Sequence, residues 1–205
     1  MYKIYDVTMP IFSGMSVYKN KPEKQPSFER VQSGYVSESR VRLDVHTGTH
    51  VDAPLHMVED GPTLETIPLE RLVGSCRVVD LTEVTDGITR EDLEKIDIQQ
   101  GEFLLFKTKN SFDEAFNFEF IYVKEDAARF LAEKGIRGVG IDSLGIERSQ
   151  PGHPTHKTLF ENDIVIIEGL RLRHVPEGNY FMVAAPLHLT GTDAAPARVL
   201  LFEGL

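Results

Sequence analysis

Three of the seven histidines fall within eleven residues, His46-Thr47-Gly48-Thr49-His50-Val51-Asp52-Ala53-Pro54-Leu55-His56. Neutral imidazoles and a carboxylate are the ligands that Zn²⁺, Mn²⁺ or Fe²⁺ accept. Gly48 and Pro54 argue against a regular helix through the segment. The His46/His50 spacing is therefore not a helical zinc motif, and Thr47 stands where a zincin carries its glutamate. A tight loop around Gly48 lets two imidazoles converge. Asp52 lies on the side of His50 if that short piece is extended, and its two oxygens can bridge two ions. The bland alternative is a set of hydrogen-bonded structural histidines with a turn aspartate. That reading suits a lone histidine better than three histidines and an aspartate around one turn.

A second group is His153-Pro154-Thr155-His156, with Glu168 twelve residues beyond His156. Glu168 ends an apolar run and is either a solvated edge charge or an inward ligand; the pairing with His156 favours a ligand. Asp142, after Gly138-Val139-Gly140-Ile141, either holds an imidazole by its outer nitrogen or caps a turn. His174 and His188 have no chelating partner nearby in the sequence and read as structural. Cys76 opens an apolar run and reads as packing rather than as a nucleophile.

Strands must position these groups. Residues 40–46 alternate, with Val41, Leu43 and Val45 on one face, which predicts a half-buried strand with His46 at its end and the following residues turning away from the sheet. Short apolar runs bounded by turn residues predict strands over 2–7, 76–81, 103–107, 138–141, 163–168, 180–184 and 198–202. Helices are expected over 124–134, stopped by Gly135, over 89–96, capped by Thr89, and over 67–73, with Pro68 in its first turn. Residues 18–30 are polar and contain Pro22 and Pro26, and read as the most mobile segment. The whole predicts a mixed α/β domain around a sheet or barrel, one domain over 1–205.

Composition sets outer bounds. The chain has 205 residues, 41% hydrophobic and 26% charged, an ordinary globular profile. The net charge of −10 repels a phosphate backbone, and no basic patch offsets it, so no nucleic-acid partner is expected. One cysteine excludes an internal disulfide and a Cys-rich zinc module. The longest aliphatic run is Ile164–Ile167, far short of a membrane span, and the opening residues carry no charged leader followed by an apolar stretch. A soluble cytoplasmic protein is expected.

The run HTGTHVDAPLH resembles the HxGTHxDxPxH signature of the bacterial kynurenine formamidase and cyclase family of metal-dependent hydrolases. The likeness extends along nearly the whole chain. Asp6-Val7-Thr8-Met9-Pro10 looks like the family's opening strand and turn, and Gly140-Ile141-Asp142-Ser143 its mid-chain element. His156 with Glu168, Glu168-Gly169-Leu170, Ala185-Pro186-Leu187 and Asp193-Ala194-Ala195-Pro196-Ala197-Arg198 resemble its later segments. The resemblance implies a swivelling β/β/α-type fold, a small β-barrel-like core flanked by a few helices. It implies two divalent ions per chain, Zn or Mn: His46 and His50 on the first, Asp52 bridging, His156 on the second, and Glu168 completing the site. His56 would be the proton donor and acceptor. Members form dimers or tetramers, so a homodimer or homotetramer is expected. One departure stands out. The formamidases carry an aromatic residue, usually Trp, followed by Pro-Gly, where this chain has Tyr18-Lys19-Asn20. Tyr18 can still stack on an aryl substrate.

The activity implied is hydrolysis of a small-molecule amide, N-formyl-L-kynurenine to L-kynurenine and formate. Two alternatives remain at this point: a cyclic amide or imide hydrolase of the isatin type on the same centre, and a metal-binding protein without turnover.

Overall fold

The computed structural model describes residues 2–205. Its strands are β1 (Lys3–Asp6), β2 (Ser27–Ser33), β3 (Val36–Arg42), β4 (His50–Asp52), β5 (Val73–Asp80), β6 (Gly87–Ile88), β7 (Phe103–Lys107), β8 (Tyr122–Val123), β9 (Gly138–Ile141), β10 (Val165–Glu168), β11 (Gly178–Pro186) and β12 (Ala194–Glu203). The helices are α1 (Arg90–Glu94), α2 (Glu125–Lys134) and α3 (Pro154–Glu161).

The main sheet runs β1-β12-β11-β5-β7-β9-β10-β4, and β4 pairs with β12 as well. That last pairing closes seven strands into a barrel, with β1 outside the ring. One edge of β12 is shared: Ala194–Pro196 pair with β4, and Leu200–Glu203 with β1. The closure confirms the expected small barrel with few helices.

Period-two alternation sorts the apolar side chains into two cores. Phe103 and Leu105 of β7 point into the barrel beside Val51, Val78, Val165, Ile167 and Met182. Leu104 and Phe106 point outward and meet Ile141, Ile166 and the helix residues Leu93, Leu131 and Leu159. The parallel strands β5, β7, β9 and β10 are covered on both faces, which is why they read as continuous apolar runs. Gly138 leaves room for the Phe103 ring, where a Cβ would collide.

α2 ends at Gly135 in the left-handed region (φ 66°), and α1 starts at Thr89, whose side chain forms a reciprocal capping box with Asp92. The helix expected over 67–73 is replaced by single 3₁₀ turns at Leu64–Thr66 and Leu69–Arg71. Segment 18–30 is ordered into two 3₁₀ turns and the start of β2. The expected half-buried strand over 40–46 is also corrected. β3 stops at Arg42 and forms an exposed hairpin with β2, and Val41 is 52% exposed. No helix among the described residues is long and apolar enough to cross a membrane.

Cys76 lies within β5 rather than at its start, and burial pushes its thiol up to about 12. Alkylation by iodoacetamide at pH 8 is therefore expected to be slow in the folded protein and complete in denaturant, read by mass spectrometry. Rapid labelling of the folded chain would contradict that burial.

Candidate metal centre

The register of a three-residue strand builds the site. Val51 of β4 points into the barrel core, so His50 and Asp52 on either side of it face outward. β10 lies antiparallel beside it, with Glu168 opposite His50 and Ile166 opposite Asp52. Ile166 belongs to the outer core, so Glu168, two residues on, shares that outer face. The expectation that the chain turns away from the sheet after His46 is thus corrected: residues 50–52 re-enter it and close the barrel.

α3 covers the same face through Leu159 and Phe160, and His156, one turn before Phe160, comes with it. His46 lies four residues beyond β3 in a turn whose amide donates to Asp44 Oδ1 (2.9 Å). The loop is clamped to the end of β10. Thr49 Oγ1 donates to the Gly169 carbonyl (2.6 Å) and accepts from the Met9 amide (2.8 Å). Gly169 has φ 71°, and a Cβ there would strike the Gly48 carbonyl, so the close approach depends on glycine.

Two sets of ligand atoms converge on Asp52. Its Oδ1 is 3.0 Å from His46 Nδ1 and 3.4 Å from His50 Nε2, and its Oδ2 is 3.9 Å from His156 Nε2. Glu168 repeats the pattern, with Oε2 3.2 Å from His50 Nε2 and Oε1 3.4 Å from His156 Nε2. Ligands held 2.0–2.1 Å from a tetrahedral Zn²⁺ lie about 3.3–3.4 Å apart. Neither Asp52 oxygen, nor His50 Nε2, has a hydrogen-bond partner, and the Asp52 side chain is 0% exposed. Leaving a buried carboxylate unbonded is costly. A divalent cation satisfies these atoms, and the donor set of imidazoles and carboxylates fits one.

The charges agree. Burial alone would lower the His50 imidazole, but the neighbouring Asp52 and Glu168 charges hold it up at about 10. Burial works the same way on His156, which its contacts with Glu147 and Glu168 also hold at about 10. Burial would raise Asp52, yet His50 and His46 hold it well below the usual carboxylate range. A cation bound among these carboxylates would compete with the protons of His50 and His156, so metal loading is expected to release protons.

Each imidazole has its outer nitrogen engaged. His46 Nε2 meets Asp193 Oδ2 at 2.9 Å, His50 Nδ1 donates to the Gly48 carbonyl at 2.9 Å, and His156 Nδ1 donates to Glu147 Oε2 at 2.7 Å. Such contacts fix which nitrogen faces the ion. Asp193 and Glu147 were missed from the sequence as site residues. Asp193 stands in the quoted DAAPAR segment, but no spacing ties it to His46; Glu147 carries no signal beyond being acidic.

His56 ends a 3₁₀ turn (Pro54–His56) with its ring centroid 4.1 Å from that of His46 and 5.7 Å from that of His156. Its Nδ1 is 3.4 Å from Asp193 Oδ2. Burial, ahead of the neighbouring charges, lowers its pKa. It also falls within ligand reach of His46 and Asp52. Tyr18 is half-buried, its ring against Phe116 (5.3 Å) and Phe120 (6.4 Å). Burial, then the Glu168 and Glu147 charges, raise its phenol. It lines a cavity of about 350 Å³ with Phe116, Phe118, Glu147 and His153. Tyr18 thus stands beside the centre.

Other candidates fall outside. His153, 56% exposed and 3.8 Å from Glu147, comes within ligand reach of Glu147 and His156 but not of Asp52 or Glu168. His174 and His188 join no ligand group among the described residues. Asp142 holds no imidazole; it accepts from Thr108, Asn110 and Ser111 and anchors their loop.

This barrel and ligand set belong to the class of metal-dependent hydrolases. The family described as "Putative cyclase" matches residues 5–148, and the chain belongs to it. It is 37% identical to the kynurenine formamidase of Salinibacter ruber over 81% of this chain and 80% of that protein. A solved structure described as a predicted metal-dependent hydrolase from Bacillus stearothermophilus is 70% identical over 98% of both chains, with a TM-score of 0.93. Isatin hydrolase A of Labrenzia aggregata is 25% identical, with a TM-score of 0.84 over 98% of this chain and 93% of its own.

Proposed function

We propose that the protein is an arylformamidase that hydrolyses N-formyl-L-kynurenine to L-kynurenine and formate, with two divalent ions, Zn or Mn, per chain. The observation that carries the reading is Asp52, buried without a hydrogen bond, with one oxygen facing His46 and His50 and the other facing His156. His46 and His50 would hold the first ion and His156 the second, with Asp52 and Glu168 within reach of both. An ion held there lowers the pKa of water toward neutrality and polarises a formyl carbonyl.

The remaining work falls to the chain. Asp193 occupies Nδ1 of His56 and leaves Nε2 to take a proton from water and deliver it to the anilide nitrogen, which leaves poorly unless protonated. Tyr18, which meets Phe116 edge-on, supplies an aromatic ring for the aryl group to stack on. The 37% identity to a kynurenine formamidase over 81% of the chain supports this substrate. The resemblance further supports a cytoplasmic homodimer or homotetramer acting on a small amide, and the charge of −10 argues against a nucleic-acid partner.

The likeness to an isatin hydrolase favours one second reading, opening of a cyclic amide on the same centre. The test compares formate release from N-formylkynurenine with opening of isatin on one metal-loaded preparation. Formamide hydrolysis is expected to be the faster. Tyr18→Ala is expected to cost roughly one to two decades in kcat/KM, by analogy with ring stacking on nucleobases, and Tyr18→Phe to restore most of it. Isatin opening without formate release would transfer the function to the cyclic amide.

A further inference from the structure

The turn that carries Tyr18 has two successive left-handed residues, Lys19 (φ 56°) and Asn20 (φ 51°). Asparagine tolerates that region, but a lysine there is strained, and such strain persists where the surroundings enforce it, often at ligand clamps. Proline cannot adopt this φ, so the turn differs in build from the Pro-Gly that the formamidase signature places after its aromatic residue. The consequence is positional. Lys19 Nζ stands 5.2 Å from the Tyr18 ring centroid, at the rim of the cavity that Tyr18 shares with Phe116, Glu147 and His153. The other cation of that wall, Arg148, is already paired with Asp86 and Glu119. Lys19 has no carboxylate partner among the described residues, although the chain carries ten more acidic than basic groups.

We propose that Lys19 is a specificity-determining residue: its ammonium binds the carboxylate of an amino-acid arm on the aryl substrate. The inference rests on the hydrolase reading above and assigns a residue to the carboxylate of its substrate. Because Lys19 Nζ lies over the Tyr18 ring, an aryl group bound in this cavity would bring its side-chain arm to the ammonium. A neutral ring offers the ammonium nothing.

The test uses metal-loaded wild type, Lys19→Met and Lys19→Arg. Formate release is followed from N-formylkynurenine, which carries the carboxylate, and from formanilide, which does not. The ratio of the two KM values is expected to shift about tenfold against N-formylkynurenine in Lys19→Met, the scale of a lost charge-assisted hydrogen bond, with the effect in KM rather than kcat. Lys19→Arg is expected to restore the ratio. An unchanged ratio in Lys19→Met overturns the proposal. Calorimetric binding of L-kynurenine against neutral 2-aminoacetophenone separates it from the hydrolase reading. If neither formamide is hydrolysed but Lys19→Met binds kynurenine more weakly, the carboxylate site stands and the hydrolase reading falls. Equal kynurenine binding in both proteins overturns the carboxylate site whatever the activity.

Discussion

Asp52→Ala is expected to strip the centre of most of its metal, whereas His156→Ala is expected to keep about half. The difference follows from reach. Asp52 presents Oδ1 to His46 and His50 and Oδ2 to His156, so its removal takes a ligand from both sets. His156 presents one nitrogen to one set. Asp52→Asn keeps the shape of the side chain and removes the charge, and is expected to lose metal nearly as severely, because divalent ions at such sites bind ionised carboxylates. Elemental analysis of the purified variants decides the matter, with circular dichroism to confirm that each is folded. Full occupancy in folded Asp52→Ala and Asp52→Asn would rule out the bridging role.

His56→Ala is expected to keep its metal and lose roughly 10²–10⁴ in kcat, the usual contribution of a positioned acid–base group. His56 is held at its Nδ1 by Asp193 and lies within ring contact of His46. The competing assignment is concrete, since one His56 nitrogen also falls within ligand reach of His46 and Asp52. The two assignments separate on metal content. A variant that loses an ion, and recovers substantial turnover when metal is resupplied in excess, would make His56 a ligand.

The candidate site was legible because its chemistry is local. Five of the six central residues lie in two short windows, and the residue types alone point to a cation. The parallel strands were legible for another reason: both faces are buried, so Phe103–Leu105 and Ile164–Ile167 stand out as unbroken apolar runs. β4 was not legible, because two of its three residues are ligands and only Val51 faces the core. A strand so short and polar has no periodicity to detect, yet it closes the barrel and aligns His50 with Glu168. α3 was hidden similarly: two of its four buried residues, Thr155 and His156, are polar, so only Leu159 and Phe160 are left to mark an apolar face. The alternation over 40–46 misled because period two reports an extended chain and not its burial; Val41 lies on an exposed hairpin. Asp193 reaches His46 across 147 positions of sequence, a contact that only the fold creates.

The most direct test of a two-ion hydrolase is a metal titration. Protein stripped with chelator is titrated with Zn²⁺, and in parallel with Mn²⁺, while formate release from N-formylkynurenine is recorded. Activity is expected to be absent without metal and to level off at two ions per chain. Full turnover by the stripped protein, or a plateau at one ion per chain, would contradict the bridged two-metal centre.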